Sequence, residues 1–340
     1  MARLQISPRL RPLPPIELLI ERGYIMRFAS AGLMSVLKPP QRLAVSRPGH
    51  VSVAAAIFWI LRVSAAMNFI FHGFWGVLGR ESWLRFFAFA GIGEEAAYPL
   101  MALIGAVEIA AGLVVLFMPV RFMPARAALL FMVIWGLWTA ELRPLTGSAW
   151  WYFLESAGYY GPPLALLLWV GWGNSIKDWF TGVATPVLSQ DKVEIIKWTL
   201  RLSIGAYLIT HGAYGAIEGK LFLIGHFASV GLPGPLTDPE TFLFATGVFE
   251  MALGALVLAS PIRPVLVFVL VWKVFTELLF VTSGLPAIEH DQAFHIFSTL
   301  ERFGMYGAPA SLFILMAYRA SPDRAETAPA FSGATASSGR

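Results

Sequence analysis

The chain contains no cysteine and few charged residues. The absence of cysteine excludes disulfide frameworks, cysteine-bound zinc, iron–sulfur clusters and electron transfer through a dithiol pair. Charged residues make up 14% of the 340 residues, whereas soluble domains carry about 25%. So little charge cannot cover a surface that faces water, and 57% of the residues are hydrophobic. The composition therefore predicts an integral membrane protein and excludes soluble and nucleic-acid-binding classes.

Long apolar segments define the predicted architecture. A membrane-spanning helix needs about 20 mostly apolar residues. Eight segments meet this requirement, and we predict an all-α polytopic membrane protein with eight transmembrane helices. The segments are residues 52–76, 97–118, 124–142, 150–171, 195–217, 242–260, 262–282 and 294–318.

Lysine and arginine are distributed unevenly between the two sides of this predicted bundle. The side that carries both termini holds most of them, and the other side holds Arg80, Arg85, Arg143 and Lys220. Because basic loops stay in the cytoplasm, we predict cytoplasmic termini in a cell membrane of the bacterial inner-membrane type. Residues 1–50 are predicted to be a basic cytoplasmic arm, either partly ordered or forming an interfacial helix. Residues 319–340 are small and polar and are predicted to be disordered.

Motifs recur in the same order in the two halves of the chain. LESAGYYGPP at 154–163 matches LERFGMYGAP at 300–309, and HGFWG at 72–76 matches HGAYG at 211–215. Glu141 and Glu277 stand near the ends of the third spans and are interpreted as a further matching pair. The shared order predicts a tandem duplication that gives two four-helix bundles in a parallel repeat. The bundles are residues 51–172, called the first half, and 195–318, called the second half, and residues 173–194 form a cytoplasmic linker.

Each half resembles the DoxX-like family of four-span membrane proteins. The resemblance is stronger in the second half. The first half lacks a residue that corresponds to Lys220. The resemblance is carried by Leu200-Arg201, Gly205, His211-Gly212, Lys220, Phe227, Gly231-Leu232-Pro233, Glu250 and Gly254. The resemblance implies a membrane subunit of a redox system, like the thiosulfate:quinone oxidoreductase that named the family. Such a subunit would bind a quinone or lipid-like molecule and dock a partner oxidoreductase.

Ionisable side chains within the spans mark candidate functional residues, because a charge in the bilayer must be paired, neutralised or close to the surface. The candidates for a ligand or proton site in the first half are Arg62, His72, Glu108, Glu141 and Glu155. Their second-half counterparts are Arg201, His211, Glu250, Lys273, Glu277 and Glu301.

Glycine spacing predicts where the central acids point. Gly105, Glu108 and Gly112 are separated by three and four residues, so they share one helix face, and the same spacing surrounds Glu250. Small residues let helices approach closely. We therefore expect both acids in helix–helix seams, where they serve either as structural hydrogen-bonding groups or as part of a site.

Charge balance separates the halves. Three basic residues in the second-half spans offset three acids, whereas Arg62 alone stands against three acids in the first half. We therefore predict that the first half holds the proton or ligand site, with its excess charge relieved by protonation, a cation, water or Arg143. A haem bound by His72 and His211 is a weaker alternative, because a lone His at a helix end more commonly caps the helix, and no metal site is predicted.

Three functions remain open on this evidence. The first is a redox membrane subunit with a quinone and a partner oxidoreductase. The second is proton-coupled or small-solute transport through the glutamate pocket, and the third is a membrane scaffold without chemistry. Membrane lipids are expected partners in each, and nucleic acid in none.

Overall fold

The structure is a computed structural model that describes residues 53–172, 175, 177–178, 188–283 and 292–318. The predicted arm at 1–50, the predicted tail at 319–340 and most of the predicted linker at 173–194 lie outside these residues. The described residues form helices, turns and irregular segments, without a strand.

The helices of the two halves follow the same order. The first half contains α1 (Val53–Val77), a 3-10 turn (Glu81–Trp83), α2 (Leu84–Phe89), α3 (Glu94–Phe117), α4 (Met123–Leu145), α5 (Tyr152–Glu155) and α6 (Ala157–Val170). The second half contains α7 (Gln190–Ala216), α8 (Phe222–Ala228), α9 (Pro239–Ala259), α10 (Arg263–Thr282), α11 (Gln292–Glu301) and α12 (Phe303–Leu315). Long helices α1, α3 and α4 thus correspond to α7, α9 and α10, and the short helices α2 and α8 lie within the two long connections.

Within the described part of the chain, five helices are long and apolar enough to cross a membrane, namely α1, α3, α4, α9 and α10. They support the predicted class of helical membrane protein. The other three predicted spans are helical but differ in form. Helix α7 begins with a charged first turn that contains Asp191 and Lys192, and the last segment of each half is divided, at Ser156 and at Arg302.

Side-chain caps and prolines set several helix starts. The Asp238 carboxylate accepts a hydrogen bond from the Thr241 N–H at 2.8 Å, which satisfies one free amide of α9 and lowers the pKa of Asp238. Pro239 follows in the first turn, where its missing N–H costs nothing. Pro124 and Pro264 also lie in the first turns of their helices, as the second residues of α4 and α10.

Glycines bring two helix pairs into backbone contact. A Cβ atom on Gly105 would lie 2.3 Å from the Gly73 carbonyl oxygen, and one on Gly247 would lie 2.4 Å from that of Gly212. Helix α1 therefore packs tightly on α3, and α7 packs on α9 in the same way. As the glycine spacing predicts, Glu108 and Glu250 lie buried near these seams.

The last helix of each half packs against the first helix of the other half, and these contacts join the two halves. In one direction the Ser203 hydroxyl of α7 donates to the Ala157 carbonyl of α6 at 2.5 Å. In the other, the Gly304 N–H of α12 donates to the Asn68 side chain of α1 at 2.8 Å. Helices α1, α6, α7 and α12 thus form the interface between the halves.

Pro162 and Pro309, inside the last helices, each free a carbonyl group, because proline has no N–H for the residue four positions earlier. Pro162 frees the carbonyl of Gly158, which accepts a hydrogen bond from the Asn68 amide at 3.1 Å. Pro309 frees that of Met305, which accepts one from the Tyr207 hydroxyl at 3.0 Å. Both carbonyls are therefore satisfied within an apolar interior, where an unpaired group would be costly.

The bundle has two unlike ends. The loop end carries the connections at 78–93 and 217–238, and the short-turn end carries the tight turns at 118–122 and 260–262. At the short-turn end, Arg62 donates to the carbonyls of Val115 (2.5 Å) and Met118, which close the C-terminus of α3.

Arg201 caps α9 in the same manner, donating to the carbonyls of Val257 at 3.1 Å, Leu258, and Ala259 at 2.7 Å. The charge balance placed Arg62 and Arg201 among the counterions of the buried acids. The structure corrects this interpretation, because both guanidinium groups are used by helix C-termini at the short-turn end.

Candidate functional site

A cavity of about 780 Å³ lies at the loop end of the first half. Side chains from α1 and α3, from α4 and from the junction of α5 and α6 form its walls, and α2 lies over it. Its polar lining residues are His72, Arg80, Ser82, Arg85, Glu108, Thr139, Arg143, Ser156, Tyr159 and Glu301. Glu301 comes from the second half, so the cavity depends on the packing of both halves.

A hydrogen-bonded group at the cavity wall is centred on Glu108. One carboxylate oxygen lies 2.7 Å from His72 Nδ1, and the other accepts a hydrogen bond from the Trp135 indole. Glu108 is 1% exposed, so both bonds are sheltered from solvent and lipid. The residues come from α1, α3 and α4, and the glycine contact of α1 with α3 sets the distance between His72 and Glu108.

The His72 ring is held by aromatic neighbours as well as by Glu108. It stacks on Trp83 with the ring centres 4.6 Å apart, and it meets Tyr159 edge to face at 5.9 Å. Because Nδ1 faces Glu108, Nε2 is the ring nitrogen left for a bound molecule. This nitrogen can accept a hydrogen bond when His72 is neutral and donate one when it is protonated.

Glu301 brings a second carboxylate to the same cavity. Its oxygen accepts a hydrogen bond from the Trp75 indole at 2.9 Å. Arg80, in the connection after α1, lies over the Trp75 and Trp83 rings, at 5.1 and 5.5 Å from their centres. Burial lowers the pKa of the Arg80 guanidinium, and the nearby Glu301 charge opposes this effect.

The rest of the lining is apolar, with several aromatic side chains, and it reaches the outer surface of the protein. Phe86, Phe87 and Phe89 come from α2, and Trp138 comes from α4. Phe89 and Trp138 are 53% and 49% exposed, although both line the cavity. Two of the aromatic side chains that line the cavity are therefore also exposed on the outer face of the helices.

The second half repeats one part of this arrangement. The Trp272 indole of α10 donates to the Glu250 carboxylate of α9 at 2.7 Å, as Trp135 does to Glu108. Glu250 is 7% exposed. The acid and the tryptophan therefore occupy matching places in the two halves.

The histidine of the second half has a different partner. His211 Nδ1 lies 2.8 Å from the Lys273 ammonium group rather than beside Glu250. Lys273 also pairs with Glu277 at 2.8 Å, and Glu277 lies 3.3 Å from the Arg302 guanidinium. Lys273 and Glu277 are almost completely buried. We call Lys273, Glu277 and Arg302 the charged triad.

Glu155, in the first half, contacts the second half, whereas Glu301, in the second half, contacts the first. Glu155 forms an ion pair with Arg143 of its own half, and it lies 3.6 Å from His211 Nε2 in the second half. Arg143 is one of the groups expected to relieve the acidic excess of the first half, and it does pair with Glu155. The proposed surplus of negative charge is therefore smaller than the sequence arithmetic indicates.

Glu141 does not belong to the site. Its side chain is exposed on α4, and it does not line the cavity. The preceding residue, Ala140, is the counterpart of the buried Glu277, so the proposed pairing of Glu141 with Glu277 is one residue out of register. Both residues stand near the ends of their helices, and that position alone does not fix the helix face.

The structure thus brings His72 and Glu108 together, with Glu301 nearby, and separates Arg62, Arg201 and Glu141 from them. Sequence reasoning missed Trp135, Trp83, Tyr159 and Arg80. Trp135 could have been found from the spacing of Phe, Trp and Thr in FMVIWGLWT at 131–139, which recurs in FVLVWKVFT at 268–276. The positions of Trp83 and Arg80 depend on how the long connection folds over the cavity, and no local pattern predicts that.

Ligand types are constrained by these contacts. Among the described residues, no group of three His, Asp or Glu side chains is arranged to hold a metal ion. His72 and His211 are directed to different partners, Glu108 and Lys273, so the geometry does not favour a haem held between them.

Comparisons of the chain with protein families, curated proteins and solved structures find no match.

Proposed function

We propose that the protein is a membrane subunit of a redox system that binds a quinone or lipid-like molecule in the first-half cavity. One observation carries this proposal: an aromatic cavity of about 780 Å³ ends on the buried His72–Glu108 pair. Ligand pockets commonly measure about 300–1,000 Å³ and combine apolar walls with a few placed polar groups. The cavity has both properties.

A quinone ring suits the polar and apolar groups of this cavity. Its flat face can pack against the aromatic lining, which includes Phe86, Phe87 and Trp135, and its carbonyl oxygens need hydrogen-bond donors. Protonated His72, the Tyr159 hydroxyl and Arg80 supply donors on the lining. Reduction of a quinone takes up protons, and the His72–Glu108 pair can pass a proton to a carbonyl oxygen beside Nε2. The electrons would come from a partner oxidoreductase, as the DoxX-like resemblance implies.

The architecture belongs to the same proposal. We infer eight spans, two tandem four-helix bundles related by duplication, and both termini in the cytoplasm of a bacterial-type cell. Matching helix order, the matching Trp135–Glu108 and Trp272–Glu250 bonds and the crosswise contacts of the last helices support the duplication. The excess of basic residues at the short-turn end supports the orientation.

Transport of a proton or small solute is supported less well. The polar groups of the cavity lie at the loop end, and the interior closer to the short-turn end contains fully buried apolar side chains such as Ile57, Leu61 and Leu129. This packing favours a molecule that binds from one side over one that passes through.

Mass spectrometry of molecules retained by the gently purified, full-length protein tests the proposal. We expect a quinone, at about one molecule per chain, and less of it in Trp135→Phe, which loses the bond to Glu108. Trp272→Phe removes the equivalent bond in the second half and serves as the matched control, so it should retain the quinone. Retention of a phospholipid alone would reduce the function to lipid binding, and an empty first-half cavity would contradict the proposal.

A further inference from the structure

Helices α4 and α10, the third long helices of the two halves, can be aligned residue by residue from their contacts. Phe131 stacks on Trp135 with ring centres 6.0 Å apart, and Phe268 stacks on Trp272 at 6.3 Å. Each tryptophan donates to the central acid of its own half. This alignment makes Gly136 the counterpart of Lys273.

The same alignment pairs Ala140 with Glu277, and both side chains are buried. In the last segments, LESAGYYGPP and LERFGMYGAP pair Ser156 with Arg302. The first half therefore carries glycine, alanine and serine at the three positions where the second half carries the charged triad. Gly136 and Ser156 line the cavity.

The charged triad occupies the space beside the second-half histidine. The Lys273 ammonium lies 2.8 Å from His211 Nδ1 and 2.8 Å from Glu277, and Arg302 closes the group at 3.3 Å from Glu277. A lysine, a glutamate and an arginine have far larger side chains than glycine, alanine and serine. The equivalent volume beside His72 belongs to the cavity.

We propose that the second half holds a closed form of the same binding site, in which the charged triad stands where the first half binds its ligand. This inference rests on the proposed function, because it takes the first-half cavity to be a ligand site. It adds the residues that determine where the ligand binds: Gly136 and Ser156 line the open site, and the triad fills its counterpart.

Lys273 contacts His211 at Nδ1, the ring nitrogen that Glu108 occupies on His72. The ring nitrogen of His72 that remains for a ligand is therefore Nε2. A ligand in the first half would direct a hydrogen-bonding head towards this nitrogen and its apolar body between the aromatic walls. A short-chain ubiquinone analogue has this form and is the probe for the tests.

The first test opens the second site. The triple variant Lys273→Gly, Glu277→Ala and Arg302→Ser removes three charged side chains together, so no member of the triad is left unpaired. Binding of the short-chain ubiquinone analogue to the full chain in lipid nanodiscs is measured by equilibrium dialysis. We expect the number of bound molecules per chain to double relative to the wild type. A folded triple variant that binds the same number as the wild type would overturn the inference.

The reverse test closes the first site, and it decides the matter if the triple variant does not fold. Gly136→Lys, Ala140→Glu and Ser156→Arg together place a copy of the triad in the first half. A Cβ atom at 136 would lie 3.2 Å from Tyr160 Cβ, which a small helix shift relieves. We expect affinity for the same analogue to fall about tenfold or more. Unchanged affinity in a folded protein would contradict the inference.

A labelling test separates failure of this inference from failure of the proposed function. The chain has no cysteine, so single cysteines report on their own positions. Arg302→Cys should react with N-ethylmaleimide in a chain that carries Lys273→Gly and Glu277→Ala, and more slowly in a chain that keeps Lys273 and Glu277. Fast labelling without quinone binding in either half would support the closed site and defeat the quinone. Equal labelling rates would defeat the closed site itself.

Discussion

The first and second halves share a scaffold but differ in what surrounds their histidines. In both halves, a tryptophan of the third long helix donates a hydrogen bond to the central acid of the second long helix. These pairs are Trp135 with Glu108 and Trp272 with Glu250. His72 then pairs with Glu108 beside a cavity, whereas His211 pairs with Lys273 inside the charged triad. The difference teaches that the same arrangement of long helices can hold its polar centre in two ways. The second half pairs its buried charges with one another, and the first half leaves a cavity beside its histidine.

The largest expected effect concerns the triad. Glu277→Gln leaves Lys273 and Arg302 without their shared carboxylate, and stranding a buried charge costs about 3–5 kcal/mol. We expect a large drop in the melting temperature of the solubilised protein. Glu141→Gln, an exposed acid on the equivalent helix, is the control and should change stability by less than about 0.5 kcal/mol. Similar melting temperatures for the two variants would show that the triad does not stabilise the second half.

The glycine seams should respond equally in the two halves. Gly105→Ala and Gly247→Ala each place a Cβ atom within 2.4 Å of a carbonyl oxygen of the facing helix. Overpacking of this kind costs about 1–3 kcal/mol or more. Gly93→Ala and Gly234→Ala are controls, since a Cβ atom there has no neighbour within 4 Å. Thermal unfolding of the four variants checks this, and a loss confined to one half would break the equivalence of the scaffolds.

The proline-freed carbonyls provide a finer comparison. Asn68→Ala removes the donor to the Gly158 carbonyl, and Tyr207→Phe removes only the hydroxyl that bonds the Met305 carbonyl. An unsatisfied buried acceptor costs about 1–3 kcal/mol. We expect both variants to melt at lower temperature, with Asn68→Ala affected more because its side chain also accepts from the Gly304 N–H. If Tyr207→Phe melts like the wild type, another group satisfies that carbonyl.

The sequence predicts the scaffold better than the site. Apolar length placed the long helices within a few residues of their observed ends, and glycine spacing placed Glu108 and Glu250 in buried seams, because both signals are local. The partners of Arg62, Glu155 and Glu301 were not predictable in this way. Arg62 caps a helix more than fifty residues away, and the two glutamates reach the opposite half. Local charge counts cannot identify partners that only the packing of helices brings together.

The structure also changes the expected consequence of altering Glu250. If charge balance within the second-half spans decided the pairing, Glu250→Gln would leave Arg201 or Lys273 without a partner, but Arg201 caps α9, and Lys273 pairs with Glu277 and His211. Glutamine at 250 can still accept the bond from Trp272. We therefore expect Glu250→Gln to cost less than about 1 kcal/mol. Melting temperature measures this, and a loss as large as that of Glu277→Gln would restore the earlier interpretation.

The most direct test of the central claim compares Glu108→Gln with Glu250→Gln for binding of a short-chain ubiquinone analogue in nanodiscs. Glu108→Gln keeps an acceptor for Trp135 but removes the carboxylate that pairs with His72 Nδ1. The account predicts that this variant loses about tenfold in affinity, while Glu250→Gln binds like the wild type. Equal affinities in the two variants would contradict the assignment of the ligand site to the first half.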